Sequence, residues 1–295
     1  MPSRQLTEIL ALVPRDFADP GADYRAVRAT MAPLHGHPVP AHITVTEDEL
    51  GGVRCAWYDD ARRPRRKRVV FHCHGGALVS CPLDDYHFYG AMLAEQLEAR
   101  VVMADYRLAP EHPFPAAHRD CLAAYRGLGA DPAHLAVSGD SCGGMLGLGT
   151  LLRARDEGLT PPACFLSISG WFDLSVSDSA GARDGTGDPF LTADWVRNRG
   201  RDYAAGQMAL DDPRLSPVFA DLAGLPPLYL PSGQHDTLRG GTEALARAAL
   251  AAGVDVTAES WPGMVHGWQG LVTAGVPEAA AAFARARAYL DDLGV

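Results

Sequence analysis

From residue 69 onward, short apolar segments alternate with longer helical patterns, and this alternation constrains the fold more than any other feature. Strand-length apolar runs spaced by helices of this length indicate parallel strands joined by right-handed crossovers. The predicted strands are 69–73, 101–104, 135–137, 164–169, 227–231 and 254–260, and the predicted helices are 84–99, 115–128, 141–156, 242–252 and 277–290. The chain is therefore expected to be an α/β protein with a mostly parallel central sheet flanked by helices.

Two regions interrupt this alternation. Residues 1–40 contain two short amphipathic helical patterns broken by prolines, and residues 171–212 are polar and glycine-rich with one helical pattern at 193–203. We therefore expect residues 41–170 and 213–295 to form the core, with the two irregular regions as additions that lie outside the sheet.

The segment between the first region and the alternation predicts an edge of the sheet. Apolar residues alternate with polar ones from Ile43 to Trp57 around a glycine pair, which predicts two antiparallel strands. The basic run at 62–68 follows directly. Because charge runs between strands usually solvate a loop, we interpret it as a solvated turn and not as a nucleic-acid patch.

Composition excludes several classes of partner. With 47% hydrophobic and 21% charged residues the chain is globular in type, and its net charge of −10 argues against general nucleic-acid binding. Its apolar stretches fall short of the ~20 residues that a membrane-spanning helix needs. We therefore expect no nucleic-acid partner and no stable membrane insertion.

The cysteines and the N-terminus indicate a cytoplasmic location. The first 20 residues lack the sustained apolar core of a signal peptide. The six cysteines have no paired spacing and several lie inside apolar runs, which predicts reduced, buried thiols. They are Cys55, Cys73, Cys81, Cys121, Cys142 and Cys164.

The motif Gly139-Asp140-Ser141-Cys142-Gly143 fits the G-x-S-x-G pattern of a nucleophilic serine. In this pattern the serine occupies a strained turn between a strand and a helix, and the flanking glycines relieve collisions with neighbouring backbone. An apolar strand precedes the motif and a helix of small residues follows it. Ser141 is therefore the predicted nucleophile. Cys142 is a less favoured alternative, because the turn projects only its central residue into the site.

The loop His74-Gly75-Gly76-Ala77 follows the first predicted parallel strand. Small residues there allow backbone N–H groups to point at a developing negative charge. The predicted oxyanion-hole donors are the amides of Gly76 and Ala77, with that of Cys142 as the third. His72 and His74 share one face of a strand, but no second ligand cluster completes a metal site, so we expect no metal.

The acid and base are predicted from chain order. A nucleophile of this kind is followed by an acid after a later strand and by a histidine after the last strand. Asp236 and His266 both follow predicted strands, and His266 is the only histidine after Asp236. Asp255 is a weaker acid candidate because it lies at the start of a strand.

Taken together, these blocks resemble the hormone-sensitive-lipase-like α/β-hydrolases, and in particular their bacterial esterases. The resemblance rests on 74–77, the contiguous block 105–117 (DYRLAPEHPFPAA), the elbow 139–144, the segment 236–239 and His266-Gly267. These blocks span most of the chain in the family's order, and the block at 105–117 is the most specific of them.

The resemblance implies an α/β-hydrolase fold with a helical cap built from 1–40 and 171–212. It also implies carboxylesterase activity on short- to medium-chain esters, no cofactor, and frequent homodimers. Two positions depart from the family: Ala77 stands where a third glycine is usual, and Cys142 where alanine is usual. Ala77 can still donate its N–H, provided that its backbone does not need a positive φ.

The expected mechanism is acyl transfer from a small-molecule ester to Ser141, with His266 as the base and Asp236 holding its tautomer. Three other functions use the same scaffold: an amidase or deacetylase, a natural-product lyase or cyclase, and a ligand receptor without catalysis. The intact triad disfavours the receptor. Apolar side chains in the two irregular regions need a place to be buried, and from these we predict substrate contacts at Trp171, Phe172 and Trp195.

Overall fold

The computed structural model describes residues 2–63, 67–177 and 187–295. Within these ranges, eight strands form one sheet in the order β1-β2-β4-β3-β5-β6-β7-β8. The strands are β1 (Ile43–Leu50), β2 (Val53–Asp60), β3 (Val69–Cys73), β4 (Arg100–Ala104), β5 (Leu135–Asp140), β6 (Cys164–Ile168), β7 (Leu228–Gly233) and β8 (Val256–Trp261). β1 and β2 pair antiparallel with each other, β2 pairs antiparallel with β4, and the remaining pairs are parallel. The predicted α/β architecture with an antiparallel edge is confirmed.

Helices cover both faces of this sheet. The helices are α1 (Arg4–Leu10), α2 (Tyr24–His35), α3 (Leu83–Leu97), α4 (Ala116–Gly127), α5 (Cys142–Asp156), α6 (Ala193–Ala204), α7 (Arg239–Ala251) and α8 (Pro277–Asp292). Side chains alternate across each strand. Phe71 and Val137 accordingly pack with residues of α4, α5 and α7, while Val70 and Ala136 pack with residues of α3 and α8. Both faces are buried, which explains why the parallel strands are continuous apolar runs.

β5 is longer than predicted. The prediction ended it at Val137, but Gly139 and Asp140 remain paired with Ser167 and Ile168 of β6. Glycine and aspartate are depleted in strands, so the local sequence at Gly139 and Asp140 argues against a strand. Pairing with the neighbouring parallel strand β6 overrides this tendency. Ser141, the predicted nucleophile, therefore follows directly on a paired strand.

The two irregular regions contact each other through polar and aromatic groups. The Phe17 and Phe190 rings meet edge to face at 5.7 Å between centroids. Asn198 Nδ2 donates to the Pro20 carbonyl at 2.8 Å, and the buried Arg199 donates to the Ala22 carbonyl at 2.8 Å. The loop before α2 is thereby fixed to α6.

The first helix lies elsewhere. Leu6 on α1 is fully buried in a cluster with Met264, Trp268 and Ala279 from the segment after β8. Ser3 hydrogen-bonds Glu278 of α8 through its amide and its hydroxyl. Residues 1–40 therefore split into two parts, with α1 behind the loop that follows β8 and α2 beside the insertion.

The basic run at 62–68, which was predicted to be a solvated turn, is instead buried at its C-terminal end. Arg62 is bonded to Asp60, and Arg63 to Glu98. Arg68 is buried and donates to the Leu97 and Val295 carbonyls. Residues 64–66 lie outside the described part of the chain. The aliphatic stem of a long basic side chain can pack against apolar groups, so the charge of the run alone did not predict this burial.

All six cysteines are free and buried. Among the described helices, none combines the length and the apolarity required to cross a membrane.

Candidate active site

Ser141 occupies the turn between β5 and α5 with φ 49° and ψ −122°. This backbone conformation is unfavourable for a residue with a side chain, and the surroundings must hold it in place. A Cβ on Gly139 would lie 2.1 Å from the Gly143 carbonyl oxygen, and a Cβ on Gly143 would lie 1.8 Å from the Cys73 oxygen. Both glycines are therefore required by close backbone approach, as the motif predicts.

The structure brings the three predicted triad residues together from the carboxyl ends of three strands. His266 Nε2 lies 3.1 Å from Ser141 Oγ, and His266 Nδ1 lies 3.2 Å from Asp236 Oδ1. Asp236 is 2% exposed and also accepts the Leu238 N–H at 2.8 Å. With Nδ1–H donating to Asp236, Nε2 is left to accept the Ser141 proton, which is the arrangement that general-base activation requires.

The charges around His266 favour its protonated form. Burial lowers the pKa of His266, but the charge and hydrogen bond of Asp236, together with the charges of Asp188 and Asp140, outweigh this and raise it above the ordinary value. A protonated His266 imidazolium is therefore stabilised by its surroundings.

The predicted oxyanion loop has backbone amides that remain available as donors. Within the described chain the amides of Gly76 and Ala77 have no hydrogen-bond acceptor, and the amide of Cys142 is at the open N-terminus of α5. Free N–H groups and the positive end of a helix both suit a developing oxyanion.

Ala77 does not meet the condition under which alanine was expected to be harmless. Its φ is 55°, and its two neighbours in the chain also have positive φ values, 108° at Gly76 and 69° at Leu78. The left-handed region costs a residue with a Cβ roughly 1–2 kcal/mol. The N–H of Ala77 remains available as a donor, and contacts with neighbouring residues hold the loop in this strained conformation.

A family model described as alpha/beta hydrolase fold matches residues 70–270. The chain is 35% identical over 236 residues to the acetyl-hydrolase of Streptomyces hygroscopicus, covering 78% of this chain and 76% of the relative. It is 36% identical over 235 residues to the carboxylesterase NlhH of Mycobacterium tuberculosis, covering 75% and 72%. The crystal structure of an esterase from the bacterial hormone-sensitive lipase family is similar over 99% of both chains, with a TM-score of 0.91 and 32% identity.

The chain belongs to the α/β-hydrolase family. Within it, the matches place the chain in the hormone-sensitive-lipase-like branch, as the sequence blocks predicted.

In this α/β-hydrolase, sequence reasoning missed the side chain that braces the oxyanion loop. Asp140 Oδ1 accepts the Gly75 N–H at 2.7 Å and lies 3.0 Å from His72 Nε2, and Oδ2 accepts the Tyr86 hydroxyl at 3.0 Å. Burial alone would raise the pKa of Asp140, but its bonds to His72 and Tyr86 hold it below the usual value. A permanent carboxylate therefore fixes the loop.

His72 and His74 have separate structural partners. The His72 Nδ1 lies 2.7 Å from Ser138 Oγ, while the His74 ring stacks on Tyr106 at 4.0 Å between centroids. The Tyr106 hydroxyl donates to the His74 carbonyl at 2.7 Å. Burial lowers the pKa of His74 to about 4, so it is a neutral packing residue at neutral pH.

The Cys142 side chain contacts the predicted oxyanion loop. Its Sγ accepts the Leu78 N–H at 3.2 Å and lies 4.0 Å from the His74 carbonyl oxygen. Burial raises the pKa of this thiol, so it is not a thiolate at neutral pH. The sulfur thus fills the space under the oxyanion loop where the family usually has a methyl group.

The loop of His266 has its own support, which the sequence did not reveal. Ser169 Oγ accepts the Gly267 N–H at 3.1 Å and donates to Gln269 Oε1 at 3.1 Å. The alternative acid, Asp255, is exposed and precedes β8, at the end of the strand opposite to His266.

The three predicted substrate contacts are buried in different places. Phe172 packs on Phe165 at 6.2 Å, and Trp171 donates its backbone N–H to the Ser141 carbonyl at 2.7 Å while its indole bonds the Asp173 carbonyl. Trp195 lines a cavity of about 190 Å³ with residues of the N-terminal segment, among them Phe17, Val27 and Met31. No triad member is among the described residues that line it.

Proposed function

We propose that this α/β-hydrolase is a serine carboxylesterase that hydrolyses short- to medium-chain carboxylic esters through an acyl-enzyme. The observation that carries the proposal is the placement of His266 between Ser141 Oγ and Asp236 Oδ1. Relatives named esterase, carboxylesterase and acetyl-hydrolase support ester bonds as the target.

The mechanism follows from this geometry. Ser141 Oγ attacks the ester carbonyl while His266 Nε2 takes its proton, and the amides of Gly76, Ala77 and Cys142 bind the oxyanion. Collapse of the tetrahedral intermediate expels the alcohol, which takes the proton from His266. A water molecule then attacks the acyl group with His266 again as the base, which releases the acid and restores Ser141.

Asp236 acts through His266. Its buried carboxylate accepts the Nδ1–H, which fixes the tautomer with a free Nε2, and its charge stabilises the imidazolium. It gains no proton during the cycle.

The cap that we propose from 1–40 and 171–212 sets the acyl specificity. Trp195 is proposed as a substrate contact from its place on the insertion, where it lines a cavity of about 190 Å³ with Phe17, Val27 and Met31 of the N-terminal segment. Trp171 and Phe172 are proposed to shape the site from beneath, since their side chains are almost fully buried.

We further propose a bacterial, cytoplasmic enzyme that forms homodimers. The buried, unpaired thiols suit a reducing compartment, and the relatives named above are bacterial. Sedimentation of the purified chain tests the dimer, and a monomer at micromolar concentration would contradict it.

The activity is tested with matched p-nitrophenyl esters of two to twelve carbons and the p-nitroanilides of the same acids. We expect ester hydrolysis with a maximum at short to medium chains and at least about 100-fold slower anilide hydrolysis. Trp195→Ala should change KM most for the preferred chain length. Anilides cleaved as fast as esters would instead indicate an amidase.

A further inference from the structure

The insertion is joined to the loop of the catalytic acid by two hydrogen bonds. Asp188 Oδ2 accepts the Thr237 N–H at 2.9 Å, and Thr237 Oγ1 donates to the Leu191 carbonyl at 3.0 Å. Thr237 directly follows Asp236 in the chain. The other Asp188 oxygen, Oδ1, accepts the Phe190 N–H at 3.0 Å, which orients the carboxylate.

The same stretch of insertion is anchored on its far side by the N-terminal segment. The Phe190 ring contacts Phe17, and Thr192 Oγ1 donates to the Ala18 carbonyl at 3.4 Å. A continuous set of contacts therefore runs from the N-terminal segment through Asp188 to the acid of the triad.

We infer that Asp188 is a positioning residue of the hydrolytic site, whose carboxylate holds the Asp236 loop against the insertion and places a second negative charge beside the His266–Asp236 pair. The inference deepens the proposed function and rests on it for the catalytic roles of those two residues. Asp188 acts on Asp236 by way of the Thr237 amide, and on His266 through its charge.

The charge of Asp188 is felt by His266. Burial and the neighbouring charge of Asp236 raise the pKa of Asp188 to about 6. The carboxylates whose charges raise the pKa of His266 in the described structure are Asp236 after β7, Asp188 on the insertion and Asp140 at the end of β5. Removing the Asp188 charge should therefore lower the pKa of His266.

Two variants separate charge from hydrogen bonding. Asp188→Asn removes the charge and keeps one acceptor, and Asp188→Ala removes both acceptors. We expect Asp188→Asn to move the acid limb of kcat/KM down by about half a pH unit or more. Asp188→Ala should also lower the plateau kcat by about tenfold with KM changed less than about threefold, because the acid is misplaced while the substrate pocket persists.

Asp194→Asn is the matched control. Asp194 lies in the first turn of α6 in the same insertion, its side chain is 75% exposed, and it pairs with Arg197. Its removal should leave both the acid limb and kcat unchanged. Circular dichroism melting shows whether each variant folds.

A titration of the His266 imidazole by NMR gives the same readout without substrate. A lower His266 pKa in Asp188→Asn than in the wild type supports the inference, even if the enzyme proves to act on something other than esters. An unchanged His266 pKa in folded Asp188→Asn overturns it, whatever the activity. Plateau kcat within twofold of wild type in folded Asp188→Ala overturns the positioning role as well.

Discussion

Two aspartates support two different loops of the site, and their surroundings shift their pKa values in opposite directions. Asp140 supports the oxyanion loop through Gly75, with His72 and Tyr86 as further donors, and its pKa lies below the usual value. Asp188 supports the loop of Asp236 through the Thr237 amide, but it lies beside another carboxylate and its pKa is raised to about 6. Hydrogen-bond donors around a carboxylate stabilise its charge, whereas a neighbouring charge of the same sign destabilises it.

Because the pKa values of Asp140 and Asp188 are shifted in opposite directions, the two halves of the site should respond differently to pH. The oxyanion side is held by a carboxylate that stays ionised across the neutral and mildly acidic range. The acid–base side contains the groups that titrate in that range. Substitutions on the two sides should therefore be distinguishable by how far they shift the pH profile, since Asp188 raises the pKa of His266 more than Asp140 does.

The largest effect is expected on the acid–base side, from Asp236→Asn. An amide at this position donates a hydrogen bond to Nδ1, which stabilises the tautomer with Nε2–H and removes the base that Ser141 needs. We expect kcat to fall by on the order of 10⁴-fold at neutral pH. The measurement is steady-state hydrolysis of a short p-nitrophenyl ester. Asp255→Asn is the control, and the acid has been misassigned if that variant is inactive while Asp236→Asn is fully active.

On the oxyanion side, Asp140→Asn should have the next largest effect. Asparagine cannot accept from Gly75, His72 and Tyr86 together, so the loop loses part of its support. We expect kcat to fall by about 10- to 100-fold, less than the loss of an oxyanion donor outright. The acid limb should move down less than in Asp188→Asn, because the Asp140 charge raises the pKa of His266 less than the Asp188 charge does. Asp173→Asn, another buried aspartate that accepts from Ser175 and Ser177, is the matched control. Equal losses of kcat in both variants would point to general destabilisation.

The pH profile of the unmodified enzyme reports the titration of His266 on the acid–base side. His266 must be neutral to accept the Ser141 proton, and its pKa is raised, so kcat/KM should fall as the pH drops through a midpoint above 6.5. Below the midpoint the decrease approaches tenfold per pH unit. A midpoint well below 6.5 would show that the carboxylates around His266 do not raise its pKa.

The smallest effect is expected from Cys142→Ala. This change removes the sulfur that accepts the Leu78 N–H and restores the residue usual in the family, while the amide at 142 is kept. We expect kcat to change by about two- to fivefold, with an unaltered acid limb, since no titrating group of the acid–base side is touched. Complete loss of ester hydrolysis in a folded variant would instead identify the thiol as the nucleophile.

The triad could be predicted from sequence because each member has a local signature. Ser141 lies between two glycines after an apolar strand, and Asp236 and His266 each follow a strand in the order that the fold requires. The fold could be predicted for a similar reason, since strand and helix periodicities are local properties.

The supports of the triad could not be predicted in this way. Asp140 and Gly75 are 65 residues apart in the chain, and Ser169 and Gln269 are 100 apart. Single polar residues at such separations leave no pattern in the sequence. The positive φ of Ala77 likewise arises from the tertiary path of the loop and overrides the preference of alanine.

Trapping the acyl-enzyme intermediate shows whether Ser141 carries the acyl group. The enzyme is mixed with excess p-nitrophenyl butyrate, quenched in acid within milliseconds, digested and analysed by mass spectrometry. We predict one butyryl group on the peptide that contains the elbow, with fragment ions that place it on Ser141, and no adduct in Ser141→Ala. A butyryl group on Cys142, or an adduct that persists in Ser141→Ala with hydrolysis undiminished, would show that Ser141 is not the nucleophile.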